Sequence, residues 1–129
     1  MSGIDAWRFE SRRVDKPWGY ELIWALTDTY CGKVLFVTAG NSLSLQYHER
    51  KVESWLVQSG RAKVELGTSA SAELIEAILS PGDTLHFEPG TIHRVTAIED
   101  TTILEVSTPH LDDVVRLEDA YGRAGTSAP

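Results

Sequence analysis

Every apolar run in this chain is short, rich in Val, Ile and Leu, and closed by Gly, Pro, Asn, Asp or Ser. Runs of that length and composition fit successive β-strands, not long helices. They predict about eight strands, over 20–25, 31–38, 42–48, 53–59, 62–66, 72–78, 84–87, and 94–97 leading on to 102–107. Turn signals fall at Ala39-Gly40-Asn41, Ser59-Gly60-Arg61, Ser80-Pro81-Gly82-Asp83 and Glu88-Pro89-Gly90, where Gly or Pro sets unusual backbone angles. At 129 residues and 42% hydrophobic, the chain fits one domain with its own core. Each strand must bury one face against another sheet, so the expected class is all-β, as a sandwich, jelly roll or closed barrel. Two segments leave alternatives open. Residues 67–77 are also good helix formers, and 111–121 reads as a turn of helix with Asp112 or Asp113 capping Val114, Val115 and Leu117.

Charge and cysteine usage narrow the possible partners. Nineteen acidic against twelve basic side chains give a formal charge of -7, a field that repels nucleic acid and anionic membranes. An anionic ligand therefore needs a local basic pocket. Arg12, Arg13 and Lys16 form the one dense basic stretch early in the chain and read first as a solvated strand edge or loop. The lone Cys31 excludes a disulfide framework and a thiolate zinc cluster. No apolar run approaches the ~18 residues of a membrane span, and residues 1–10 lack a basic flank and apolar stretch, so the expectation is a soluble, cytoplasmic protein.

The chemistry is concentrated in two segments. In the first, Gln46 and His48 stand two apart and project from one face of a strand, and Glu53 can return to them from the next strand. In the second, Glu88-Pro89-Gly90 places His93 at the start of a strand, where its imidazole can complete the set. Gln46, His48, Glu53 and His93 are thus the candidate metal ligands. Gln46 is the weakest, because its amide oxygen is a neutral ligand and its side chain can instead hydrogen-bond Glu53 or a water on the metal. Imidazole, carboxylate and amide donors suit one divalent ion, Zn, Mn, Fe, Co or Ni, and disfavour Cu(I) or an iron–sulfur cluster.

These two segments, with Gly40, Gly60, Gly82 and Gly90 at their bounds, resemble the two signature motifs of the cupin superfamily. That resemblance implies a double-stranded β-helix, or jelly-roll barrel, with a metal inside. The flanks are more specific. Lys16-Pro17-Trp18-Gly19-Tyr20-Glu21, Leu43-Ser44-Leu45-Gln46-Tyr47-His48, Glu53-Ser54-Trp55, Gly90-Thr91-Ile92-His93-Arg94 and the run from Val115 to Arg123 resemble the cupin-type (type II) mannose-6-phosphate isomerase family. In that family Gln commonly stands where Gln46 does. The chain departs at Glu49 and Arg50, where the family commonly has histidines, and, against the general cupin pattern, at Glu88 and Ala97.

The resemblance implies an N-terminal segment over 1–15, a barrel over 16–110, a C-terminal segment over 111–123 packing on it, and a disordered tail over 124–129. It also implies a sugar-phosphate substrate, with Lys33, Arg50, Arg94 and Arg123 as cations for the phosphate, and a homodimer by analogy. Among these, Lys33 and Arg123 are the expected phosphate ligands. Glu105, a carboxylate in the apolar run Leu104-Glu105-Val106, is the candidate base, with an ion-pair role as the alternative. Glu49 reads as a solvated hairpin charge, His86 as lining or outside the barrel, and His110 as exposed. Trp7, Trp18, Trp24 and Trp55 read as core or interface, with a sugar platform open for Trp18. The leading expectation is a metal-dependent aldose–ketose isomerase. Its alternatives are another metal-cupin lyase, epimerase or dioxygenase, and a non-catalytic sugar- or metabolite-binding cupin.

Overall fold

The computed structural model describes residues 3–69 and 73–124. A 3-10 turn, Gly3–Trp7, leads into eleven strands: β1 (Arg12–Lys16), β2 (Gly19–Leu26), β3 (Cys31–Val37), β4 (Leu45–Tyr47), β5 (Glu53–Ser59), β6 (Ala62–Gly67), β7 (Ile75–Leu79), β8 (Thr84–Phe87), β9 (Ile92–Ala97), β10 (Thr101–Ser107) and β11 (Val115–Glu118). They form a six-stranded sheet in the order β1-β2-β3-β10-β5-β8 and a five-stranded sheet in the order β11-β4-β9-β6-β7. Every pairing is antiparallel. This is the cupin jelly roll. Among the described residues no helix is long and apolar enough to cross a membrane.

The strand alternation builds the interior directly. On β5, Glu53, Trp55 and Val57 are buried while Leu56 and Gln58 are exposed; on β10, Thr101, Ile103, Glu105 and Ser107 point inward. Trp18, Leu35, Val37, Leu43, Trp55, Phe87, Val95 and Ile103 join into the main core between the sheets. Gly60 turns the chain from β5 in one sheet to β6 in the other with φ 92°, and a Cβ there would lie 2.2 Å from the Asp100 carbonyl oxygen, so both angle and space require glycine.

The structure departs from the sequence expectation in two places and decides two readings left open. Residues 94–97 and 102–107 do not form one continuous run, because β9 belongs to the five-stranded sheet and β10 to the six-stranded sheet. The 67–77 segment is not helical where it is described. Ile75–Leu79 pairs along β6, and the start of the expected strand at Ala72 lies outside the described residues. Residues 115–118 form strand β11 instead of a helical turn, with Arg116 opposite Gln46. Arg12–Lys16, an edge strand, was expected only as an edge or loop and proves to pair along β2. Both added strands are short and polar, so their pairing comes from neighbours and not from apolar alternation. The expected tail over 124–129 lies, apart from Ala124, outside the described residues.

Candidate functional site

The inward rows of the six-stranded sheet change character along the barrel. Val37, Ile103 and Val57 line one end, whereas Lys33, Glu105 and Trp55 stand in register across β3, β10 and β5 toward the other. At the polar end a cavity opens, and its lining includes Gln46, His48, Lys51, Glu53, Glu105, Lys33, Lys16, Arg116 and Arg123.

Three of the candidate ligands meet there. His48, Glu53 and His93 are all buried, and one donor atom from each lies within 4.8 Å of the others. His48 Nε2 is 3.3 Å from Glu53 Oε2, and His93 Nε2 is 3.4 Å from Glu53 Oε1. Neither ring nitrogen makes an aligned hydrogen bond. The opposite ring nitrogens explain why. His48 Nδ1 meets the carbonyl of Asp113, and His93 Nδ1 lies 2.9 Å from the carbonyl of Thr91. A carbonyl only accepts, so each Nδ1 carries the hydrogen and, in the neutral ring, each Nε2 turns a lone pair toward the Glu53 carboxylate. Three buried acceptors converging with no hydrogen to share among them fit a divalent cation, with both imidazoles oriented by carbonyls as metal-ligating histidines usually are.

The local sequence builds this convergence in two ways. Gly90, at φ 87°, turns the chain so that its N–H donates to the His48 carbonyl at 2.8 Å, bringing the second segment beside the first. The His93 ring stacks on Phe87, with centroids 4.6 Å apart, and meets Trp55 edge-on, so its plane is held by packing as well as by Thr91. Gln46 pairs with His93 across β4 and β9, and its amide oxygen accepts a 2.6 Å hydrogen bond from Ser44 Oγ. It lines the cavity with His48 and Glu53.

Behind the ligands lies a charged relay. The Lys51 ammonium bridges Glu53 Oε2 at 3.0 Å and Glu105 Oε2 at 3.2 Å, and Trp55 Nε1 donates to Glu105 Oε1 at 3.2 Å. Burial opposes ionisation of Glu53, yet its carboxyl is held well below the usual carboxylate range, with the Lys51 ammonium the cation in contact with it. Burial likewise opposes the charge on Lys51, and Glu105 and Glu53 override it, pushing the ammonium upward. Lys51 was not among the expected site residues, although standing two before Glu53 is a legible signal that the two can share a face.

A second group of cations lies across the cavity. Lys33 Nζ is 3.3 Å from Glu21, and Lys16 Nζ is 4.0 Å from the same side chain. Arg123 pairs with Asp119 at 3.0 Å, and Arg116 is buried on β11. Burial lowers the Lys16 pKa; Glu21 opposes this, and Lys33, Arg123 and Arg116 add their repulsion. Four cations thus face two carboxylates, a local excess of positive charge on an acidic chain. Lys33 and Arg123 were expected; Lys16 and Arg116 were not. Arg50 is exposed, and Arg94 pairs with Glu65 and Glu118 away from the cavity, so neither joins the group.

The remaining candidates lie apart. Glu49 is exposed, as a hairpin charge should be. His86 is on the outer face, between Ser54 Oγ at 3.0 Å and Glu88 at 2.9 Å. His110 is half-buried against Thr108 instead of exposed. Trp18 is buried at the cavity wall and Trp55 in the core, while Trp7 and Trp24 are exposed.

Residues 6–119 match the profile of the family described as mannose-6-phosphate isomerase C-terminal. The chain belongs to that family. It is 32% identical over 118 residues to the xanthan biosynthesis protein XanB of Xanthomonas campestris pv. campestris (strain B100), covering 87% of this chain and 24% of the relative. It is 36% identical to a mannose-1-phosphate guanylyltransferase of Escherichia coli K12, covering 87% of this chain and 23% of that protein. The chain therefore spans about a quarter of the length of these curated relatives. Among solved structures, the capsular polysaccharide assembling protein CapF from Staphylococcus aureus superposes with a TM-score of 0.71 at 19% identity, covering 91% of this chain and 35% of that one. A point mutant of Bacillus subtilis oxalate decarboxylase OxdC gives 0.72 at 16% identity, covering 84% and 30%. Both likenesses establish the shared cupin fold.

Proposed function

We propose that the cavity is a metal-dependent sugar-phosphate isomerase site of the mannose-6-phosphate isomerase kind. The observation that carries this reading is the convergence of His48 Nε2, His93 Nε2 and the Glu53 carboxylate, all buried, beside an excess of cations. His48, Glu53 and His93, with Gln46 at the open side, would hold one divalent ion of the Zn, Mn, Fe, Co or Ni group. Bound there, the ion supplies a Lewis acid for the substrate's carbonyl and neighbouring hydroxyl.

The rest falls to the chain. Lys33 and Arg123, aided by Lys16 and Arg116, hold the phosphate and so fix which end of the sugar reaches the ligands. Glu105 takes a proton from C2 and returns it at C1 while the C2 hydroxyl proton passes to the C1 oxygen, and Trp55 Nε1 and Lys51 keep the Glu105 carboxylate in place. The relatives' names point to mannose phosphates, which is the substrate class this reading adopts.

The decisive experiment determines the metal content of the purified protein and then assays interconversion of mannose 6-phosphate and fructose 6-phosphate with each ion. Turnover that follows metal occupancy supports the reading. Full occupancy without turnover overturns the isomerase reading and leaves the fold and the metal site intact.

A further inference from the structure

The stretch after β10 enters the site by two routes. Arg116 and Arg123 reach the cavity, whereas Asp113 works from behind it. The backbone carbonyl of Asp113 takes the Nδ1 hydrogen of His48, and its carboxylate accepts three consecutive backbone N–H groups, from Glu49 at 3.0 Å, Arg50 at 2.7 Å and Lys51 at 2.8 Å. One residue thus gathers four donors from the connection between β4 and β5, more than sixty positions earlier in the chain. The three N–H groups are those of a turn, and Asp113 satisfies them through charge-assisted bonds.

The two imidazoles of the site are held differently. His93 rests on Thr91, two residues before it, and on Phe87 and Trp55, so its orientation is set by its own segment and the core. His48 has no such local acceptor; its Nδ1 contact comes from Asp113. The same carboxylate sets the path of residues 49–51, from which Lys51 must reach both Glu53 and Glu105.

We infer that Asp113 is a positioning residue that locks the tautomer and aim of His48 and sets the Lys51–Glu53 arm, making the C-terminal segment a working part of the site. The inference rests on the metal-site reading above. A residue that only capped a turn would contribute to stability and leave the affinity of the folded protein for metal unchanged.

The test uses the full chain with Zn²⁺ alone as probe. Calorimetry reads zinc affinity for the wild type, Asp113→Ala and Asp113→Asn, and nitrogen-15 NMR of the metal-free proteins reads the His48 tautomer. Asp83→Ala serves as control, since Asp83 caps the 80–83 turn through a 2.8 Å bond from the Ser80 N–H, remote from the cavity. The expected result is zinc binding about 10–100-fold weaker in Asp113→Ala, partial recovery in Asp113→Asn, no change in Asp83→Ala, and a single Nδ1–H tautomer of His48 that becomes mixed in Asp113→Ala, where the backbone carbonyl that the substitution keeps is no longer anchored against residues 48–51 by the carboxylate. Asp113→Asn also reports if the alanine variant fails to fold. Wild-type zinc affinity and an unchanged His48 tautomer in either Asp113 variant overturn the inference. A wild type that takes up no zinc overturns the metal reading instead, and the tautomer signal still decides whether Asp113 positions His48.

Discussion

The two ends of the barrel interior are made by the same strands and obey opposite rules. At one end Val37, Val57, Val64 and Ile103 are all but inaccessible, and their stability comes from removing apolar surface from water and packing without voids. At the other end Lys33, Lys51, Glu53, His93 and Glu105 are as deeply buried, and each is tolerated because a partner of opposite charge or a hydrogen bond offsets its desolvation. A few residues along β3, β5 and β10 separate the two regimes. The apolar end holds the sheets together, so the polar end can carry a charged cluster that would be costly in isolation.

The sharpest way to break that contrast is to remove one member of the charged cluster. Lys51→Met leaves Glu53 and Glu105 facing each other and should destabilise the metal-free protein by about 3–5 kcal/mol. Denaturant unfolding with and without Zn²⁺ checks it, and the loss should shrink when the ion restores positive charge. Equal losses in both conditions would mean that the cluster does not hold a cation. At the apolar end, Ile103→Ala should cost about 2–5 kcal/mol through a cavity, yet leave zinc stoichiometry intact. A variant that lost zinc as well would show that the two ends are not separable.

Metal removal gives a smaller effect of the same kind. Chelation of a protein held at a hundredfold its dissociation constant should lower the unfolding free energy by about 2.7 kcal/mol. His93→Ala should show no such response to chelator, because its site no longer holds the ion.

An ion pair outside the cavity sharpens the comparison further. The hydrogen bond from Arg94 holds the Glu65 carboxyl below the usual glutamate range, with burial opposing it. A depressed folded-state pKa stabilises above the unfolded value of about 4.3 and loses its contribution as pH falls through the folded one. Glu65→Gln should therefore be less stable than wild type at pH 7 by up to about 1 kcal/mol, and the gap should close in acid. A gap that stayed constant with pH would assign the effect to packing. The smallest effect is expected at the outer histidine. His86→Ala should change stability by no more than about 0.5 kcal/mol and leave metal content untouched, since Ser54 and Glu88 hold it on the far side of the sheet.

Much of this molecule is legible from its residues. The strands 53–59 and 84–87 follow from alternation and turn signals, and the structure reproduces them residue for residue. The meeting of His48, Glu53 and His93 follows from the two-residue strand period and two glycine-bounded turns. Lys33, Glu105 and Arg123, expected near the site, do line the cavity. The helix expected near Asp113 was not realised. Its carboxylate could cap the residues after it or donors elsewhere, and it took the N–H groups of 49–51 because β11 pairs with β4 and brings the two segments together.

The sequence by itself thus determined the all-β class, most of the strands and the three converging candidate ligands, because the spacing of neighbours along a strand sets which side chains share a face. Tertiary structure alone decided which charges the cavity contains. Lys16, Lys51 and Arg116 join it, while Arg50 and Arg94, equally basic, do not. A long cationic side chain carries no period of its own, and where its head comes to rest depends on which carboxylates the packed sheets leave within reach. For Lys51 these are Glu53 and Glu105, drawn from β5 and β10, strands distant in sequence that pair side by side in the six-stranded sheet.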